Sequence, residues 1–380
     1  MKPLYTAEHY LRNKRKFLFI FIPVVLSIII VYVIQMLIST EFSLVERTYV
    51  EPQKYYSSIA AKTKVINQDL INSILKRKTE YEKVFPWVAH YTYFDGIIEK
   101  NIGSKVFTVK QDDMKWLLLK MNLKIIAGRL PAAGSNEILL HKTVADNKKL
   151  KLGDSIGSSV SKTESLEGKK NIVGLIDGKS IVSFDSLEYF MELNQVDQDD
   201  YSTGIIIVPK ENKRNDIEHL LEETDSQGLD LRTYDIISRR NKNDGSNITI
   251  IITIINISIL IIITLCAGFI SYINVNQRRS EFGILSAIGY TSQEIVNRLI
   301  SEICLINLAA LVLGTLCSIS IGAVLNLLIF TRKGTPLILI DPDFLIQAAC
   351  IPLFVCIFAL VPAWNTLRKL DPVAVIEGLV

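Results

Sequence analysis

The sequence predicts an α-helical membrane protein with four transmembrane helices and a large α+β extracytoplasmic domain inserted between helices 1 and 2. Three observations carry this. Four apolar runs recur along the chain, each close to the roughly 20 residues that cross a bilayer as a helix. A polar stretch of mixed charge, residues 39–247, separates the first run from the other three. Outside that stretch, ten basic residues lie in 1–16, 277–298 and 363–380, and only Arg332 and Lys333 lie between the last two runs.

Taken in order, residues 1–16 form a polar lead with Arg12, Lys14, Arg15 and Lys16, followed by the first span at 17–38. That run is longer than a signal-peptide core and leads into Ser39-Thr40-Glu41, with no small-residue cleavage site, so it reads as an uncleaved helix. Pro23 and Gln35 within it are expected to bend the helix or face a bundle. In the polar stretch, residues 52–82 read as a helix with Ile59, Val65, Leu70, Ile74 and Leu75 as its apolar stripe. Residues 87–94 read as a strand ended by Asp95-Gly96, 105–110 as another, and 112–118 as a short helix with an acidic start. A helix over 143–149 and a strand over 171–177 follow. Residues 201–209, 215–223 and 229–234 read strand, helix, strand, a small α+β unit closing the domain. The length of this stretch suggests two subdomains.

Residues 241–247 read as a polar linker back to the membrane. The second span is 248–272, a cytoplasmic segment covers 273–302, and the third span is 303–330. A short outer loop, 331–343, leads to the fourth span at 344–362 and a cytoplasmic tail at 363–380. In the third span Gly314, Ser318 and Gly322 stand four apart, a spacing of small residues that lets a second helix approach closely.

The positive-inside rule then puts both termini and residues 273–302 in the cytoplasm and the polar domain outside. A net charge of +3 gives no basic surface for nucleic acid. All five cysteines fall in apolar runs, so the polar domain has no disulfide, and the four scattered histidines show no zinc spacing. Residues Gly174 to Ser180 look like a phosphate loop, but three residues rather than four separate Gly174 from Gly178. A strand ending in a turn accounts for them. Asn247-Ile248-Thr249 matches a glycosylation sequon that abuts the membrane. No paired carboxylates, nucleophile–base set or cofactor motif stands out, so an enzyme is the poorest reading.

The cytoplasmic segment is the most structured short piece. Arg278 and Arg279 open it at the inner membrane face, where cationic heads meet lipid phosphates. Glu281 suits the positive end of a helix. Phe282, Leu285 and Ile288 are placed on one face, and Gly289 permits a turn. Thr291 followed by Glu294 is a capping-box pattern for a second helix that feeds the third span.

The run Arg278-Arg279-Ser280-Glu281-Phe282-Gly283-Ile284-Leu285-Ser286-Ala287-Ile288-Gly289-Tyr290 resembles the signature of FtsX-like, or MacB-like, ABC transporter permeases. The tail Pro362-Ala363-Trp364 to Leu370-Asp371-Pro372-Val373 is similar to that family's ending. Gly128-Arg129-Leu130-Pro131, Asn136-Glu137-Ile138 and Leu152-Gly153-Asp154 resemble its outer core domain. Ser286 departs from the arginine common in the family. The resemblance implies a permease subunit without its own ATPase motifs, working with a cytoplasmic ABC ATPase and a second permease copy. By position, Arg278, Arg279, Glu281, Phe282, Gly283, Ile284, Leu285, Ala287 and Gly289 would form the ATPase-coupling helix. ATP, bound by the partner, would drive movements of the outer domain through spans one and two. Export of, or resistance to, a peptide, antimicrobial or lipid-linked compound is the implied role, with a membrane-fusion-like protein as a further partner. The alternative is an FtsX-type regulator of a cell-wall hydrolase or sensor kinase that transports nothing. The Lys-, Asn- and Ile-rich composition suggests the plasma membrane of a Gram-positive bacterium.

Overall fold

The computed structural model describes residues 14–62, 66–195, 201–223 and 228–368. Arg12, Val65 and the tail motif from Lys369 onward lie outside the described residues. The chain divides into two units. One comprises Met1–Leu37, Ile248–Leu325 and Ile338–Val380; the other comprises Ile38–Asn247 and Asn326–Leu337.

The first unit is helical, and its apolar helices point to a membrane protein. α1 runs Lys14–Val45. Three helical stretches are long and apolar enough to cross a bilayer: Phe21–Val50, Thr253–Ile270 and Gln293–Lys333. A fourth apolar stretch, Pro342–Phe358, is shorter over the described side chains and belongs to a longer helix, Pro342–Arg368. The packed interior is built from Val24, Ile28, Tyr32 and Met36 of α1 against Ala310, Phe344, Ala348 and Ile351. Two polar groups inside it are paired, as an apolar surrounding favours. Gln35 Nε2 donates to Gln347 Oε1 at 2.5 Å, and the Tyr32 hydroxyl donates to Leu339 O at 3.3 Å.

The second unit is α+β and contains two sheets. β1 (Ser57–Ala61), β2 (Tyr81–Pro86), β10 (Gly204–Pro209) and β11 (Leu229–Arg232) make an antiparallel sheet in the order β11-β1-β10-β2. α2 (Gln68–Lys76) joins β1 to β2 and α6 (Arg214–Glu222) joins β10 to β11, so two strand–helix–strand halves interleave as a split β-α-β unit. Ile59, Ile71, Ile74, Ile205, Ile207, Ile217 and Leu221 fill the space between sheet and helices.

The helix expected over 52–82 is therefore corrected. Ile59 pairs across strands with Ile205 and Leu231, and only 68–76 is an α-helix. The Asn67 side chain accepts from Asp69 N at 3.1 Å and sets the helix start there.

The seven strands between the halves are one contiguous piece of chain. They are β3 (Val88–Phe94), β4 (Ile102–Val109), β5 (Lys124–Gly128), β6 (Glu137–His141), β7 (Ser155–Ile156), β8 (Lys170–Asp177) and β9 (Ser183–Ser186). They form a mixed sheet in the order β3-β4-β9-β6-β8-β5, with β7 paired to β8. α3 (Gln111–Lys120), α4 (Lys142–Lys148) and α5 (Leu187–Asn194) complete the piece. A core of Tyr56, Phe85, Trp87, Phe107, Leu117, Phe184 and Ile206 draws on both sheets. The Trp87 indole donates to Ile59 O at 3.1 Å, which satisfies its N–H inside that core.

The buried carboxylate of Glu41, in the last turns of α1, accepts from the backbone N–H groups of Ile97, Ile98 and Glu99 at 2.6, 3.2 and 3.0 Å. Buried His141 caps α4: its Nδ1 accepts from Thr143 N at 3.1 Å. His90, also buried, shares a 2.9 Å hydrogen bond with the Thr108 hydroxyl. The stretch resembling a phosphate loop is the end of β8 and a turn. A Cβ on Gly174 would lie 2.3 Å from Arg129 O, so its backbone is closed off by the segment that follows β5 rather than open to a ligand.

The polar linker expected over 241–247 is also corrected. These residues belong to α7, which runs unbroken from Tyr234 to Gln277. Asn and Ser are moderate helix formers, and the long apolar run behind them propagates a helix already nucleated.

Candidate functional site at the turn after α7

The helix α7 ends at Gln277, Arg278 makes a turn, and α8 spans Arg279–Ala287. α9 then runs Ser292–Leu325, and α10 is Pro342–Arg368. Arg278 has φ −100° and ψ 9°, outside helical values, and Phe282 N donates to its carbonyl at 3.2 Å to start the new helix. Glu281 falls in the first turn, where the positive helix end favours a carboxylate.

α8 ends just as locally. Gly289 N donates to Ser286 O at 3.1 Å and Tyr290 N to Leu285 O at 3.1 Å, the paired bonds of a Schellman closure. That closure requires a left-handed residue, and Gly289 has φ +105°. Two residues on, a capping box opens α9. Glu294 N donates to the Thr291 hydroxyl at 3.3 Å, and Thr291 N donates to the Glu294 carboxylate at 2.8 Å. Hydrogen bonding from the Thr291 backbone and hydroxyl holds the Glu294 carboxyl below the usual range.

The two faces of α8 differ. Phe282 is buried against Ile295, Val296, Leu299 and Ile303 of α9, with Leu285 beside it. Burial of one such phenyl side chain contributes about 1.5–3 kcal/mol. Ile288, which simple spacing puts on the same face as Phe282, is 70% exposed, and Ile284 is 55% exposed. The free face therefore carries Glu281, Ile284, Ala287 and Ile288. Gly283 lies on the buried side. Arg279 opens the helix, and its side chain lies outside the described ones.

Arg278 does not reach for lipid phosphate; it turns inward and is 2% exposed. Its Nη1 donates to Glu302 Oε2 at 2.8 Å and its Nε to Glu281 Oε2 at 2.9 Å. Its guanidinium also sits 5.1 Å from the Phe282 ring centroid. Glu302, on α9, is 0% exposed, and its second oxygen accepts from Arg298 Nε at 3.1 Å. Burial alone would lower the Arg278 pKa, but the hydrogen bonds and charges of Glu302 and Glu281 outweigh it and raise it. The guanidinium therefore stays charged. Sequence reading missed Glu302. The available signal was one carboxylate at the edge of an apolar run, a position that a bilayer tolerates only when the charge is paired.

Further along α9, the small residues meet α1. A Cβ on Gly314 would lie 2.8 Å from Ile28 Cγ2 and 2.9 Å from Ile28 Cβ; one on Gly322 would lie 2.7 Å from Met36 Sδ. Ser318 is buried between them, and its hydroxyl donates to Gly314 O at 2.7 Å. The two helices thus meet closely at Gly314, where Val25 O is 3.4 Å from the added Cβ, while side-chain ends fill the space at Gly322.

Among the described residues, no cluster of three or more His, Cys, Asp or Glu could hold a metal ion.

Comparison with known proteins agrees with the sequence resemblance. A family profile described as FtsX-like permease C-terminal matches residues 251–372. The macrolide export ATP-binding/permease protein MacB of Bordetella avium (strain 197N) is 25% identical over 154 residues, 40% of this chain. The match spans only 23% of that relative's length. Two solved structures share looser similarity. The periplasmic region of MacB from Actinobacillus actinomycetemcomitans is 12% identical, covering 50% of this chain and 93% of that one, with a TM-score of 0.30. The extracellular domain of the noncanonic ABC-type transporter YknZ from Gram-positive bacteria is 10% identical, covering 47% and 100%, with a TM-score of 0.28. The stretch that matches the FtsX-like permease C-terminal profile, 251–372, holds α8, its anchoring ion pairs and the small-residue stripe.

Proposed function

We propose that this chain is the permease subunit of an ABC transporter and that α8 is the docking helix for a separate cytoplasmic ATPase. The observation that carries this reading is the split character of α8. One face is fixed to α9 through Phe282, while Glu281, Ile284, Ala287 and Ile288 are left exposed. An apolar patch with one acidic residue, next to a membrane helix, suits a protein groove rather than water. The arrangement has four spans with both termini and α8 in the cytoplasm and residues 39–247 outside. The ten basic residues of 1–16, 277–298 and 363–380, against only Arg332 and Lys333 in 331–343, support that orientation. The unit works as a dimer, with ATP bound by the partner subunit. In this reading movement passes to the outer domain through the first two spans, without passage of substrate through the bilayer. Export of, or resistance to, a peptide, antimicrobial or lipid-linked compound is the corresponding role.

The test is co-purification of the full chain with a cytoplasmic ABC ATPase from the same cell. Ile284→Asp puts a charge on the free face and disturbs none of the ion pairs; Glu281→Lys reverses the one acidic group. Each is expected to reduce bound ATPase by about tenfold or more, the effect of losing roughly 1.4 kcal/mol, with membrane insertion unchanged. Wild-type co-purification and activity in both variants rule out α8 as the docking helix.

A further inference from the structure

The buried ion pairs behind α8 make a definite mechanical arrangement. Glu302 spans two levels of the hairpin. One oxygen accepts from Arg278 at the turn that precedes α8, and the other accepts from Arg298, one turn back on α9 itself. Arg278 in turn holds Glu281 of α8. The three links run Arg298–Glu302–Arg278–Glu281, with Phe282 stacked beneath the central guanidinium. At the far end of α8 the Gly289 closure and the Thr291–Glu294 box leave no slack before α9 begins. α8 is therefore fixed to α9 at both ends and along one face. On the side of α7, by contrast, the helix is interrupted by the non-helical backbone of Arg278.

We propose that Glu302 is a positioning residue that makes α8 and α9 move as one body, so that a push on α8 enters the third span directly and reaches α7 only through the Arg278 turn. This rests on the reading of α8 as a docking helix. It departs from transmission through spans one and two by naming the first helix to move. The chemistry suits the task. A carboxylate with both oxygens engaged by arginines fixes direction as well as distance. Removing one member leaves a buried charge uncompensated, so the pair resists partial opening. The third span then passes movement on where Gly314, Ser318 and Gly322 lie against α1.

The experiment is hydrogen–deuterium exchange on the full chain in lipid nanodiscs, with and without its ATPase. Glu302→Gln keeps the shape of the side chain and removes its charge; Arg278→Met removes the other partner. Both are expected to speed amide exchange over 279–290 by roughly tenfold, as a local opening would, while 305–320 stays at the wild-type rate. In the complex, Glu302→Gln should still bind the ATPase through the intact free face but lose the slowing of exchange in α9 that nucleotide produces in wild type. Unchanged exchange over 279–290 in both single variants overturns the proposal, as does equal loosening along all of α9. The Ile284→Asp arm separates the two ideas. If that variant keeps its ATPase while Glu302→Gln still loosens α8, docking through α8 is wrong and the anchoring role of Glu302 stands.

Discussion

The contact between α9 and α1 supports a prediction in which one substitution has opposite results at two sites. Replacing glycine by alanine inside a helix gains about 0.8–1 kcal/mol in intrinsic propensity wherever it is made. What differs is the neighbour. At Gly314 the new methyl would lie 2.9 Å from Ile28 Cβ and 3.4 Å from Val25 O, atoms fixed to the α1 backbone that no rotamer change can move. Relief requires α1 and α9 to separate locally by a large fraction of an ångström, and overpacking of this kind costs about 1–3 kcal/mol. At Gly322 the nearest atoms are Met36 Sδ at 2.7 Å and Leu339 Cδ2 at 2.9 Å, both ends of flexible side chains. Gly314→Ala should therefore lose up to about 2 kcal/mol, and Gly322→Ala should be neutral or gain up to about 1 kcal/mol. All five cysteines lie in this helical unit, and the two half-buried ones, Cys317 and Cys356, gain reactivity towards a thiol-reactive fluorogenic dye as it melts. Equal shifts for the two variants, or a higher melting temperature for Gly314→Ala, would refute the close-contact argument.

Further outcomes follow from the α+β unit. Burial, then the charge of Lys170, pulls His90 down to about 4; burial, then Arg47, does the same to His141. Both folded values lie below the unfolded one, so their stabilisation is complete above pH 6.5 and is lost as pH falls towards 4, at about 3 kcal/mol each. Asp185, raised by burial to about 6, works in the opposite direction and gives back about 3 kcal/mol over pH 6 to 4. Unfolding of the full chain in detergent should show a net loss of roughly 3 kcal/mol between pH 7 and 4. His141→Asn, which retains a capping acceptor, should reduce that loss, and an identical pH profile in the variant would exclude His141 as a source. Glu41→Ala leaves three backbone donors without their acceptor, a cost of about 2–4 kcal/mol for charge-assisted bonds. Amide exchange over 95–101 should accelerate accordingly, and unchanged rates there would mean that water replaces the carboxylate without penalty.

Features encoded over short distances were legible in the sequence. The Thr291–Glu294 box and the Gly289 turn depend only on residues three or four apart, and both close as hydrogen bonds at the expected atoms. Apolar length marked the long helices because bilayer thickness sets a threshold that soluble folds rarely meet. What escaped were partnerships between distant residues. Ile59 looked helical because its strand partners, Ile205 and Leu231, lie more than a hundred residues later. Glu302 is 24 residues from Arg278, and nothing local distinguishes a paired carboxylate from a span boundary. Ile288 shows the limit of periodicity: the spacing 282, 285, 288 drifts around a 3.6-residue helix, and by the last turn the side chain has left the buried face.

The interleaved split unit has a consequence for synthesis. β1 is made early, yet both of its neighbours, β10 and β11, follow Gly204, roughly 140 residues after Ala61. At about 5–20 residues per second, β1 stays unpaired for about 7–30 s. During that wait the seven-stranded piece between Val88 and Ser186 is synthesised complete and can close on its own neighbours. The order of folding is then inside-out: the inserted sheet forms first and brings the two halves of its host together. A chaperone that shields apolar strands should therefore contact residues 57–61 and release them when 204–209 is made.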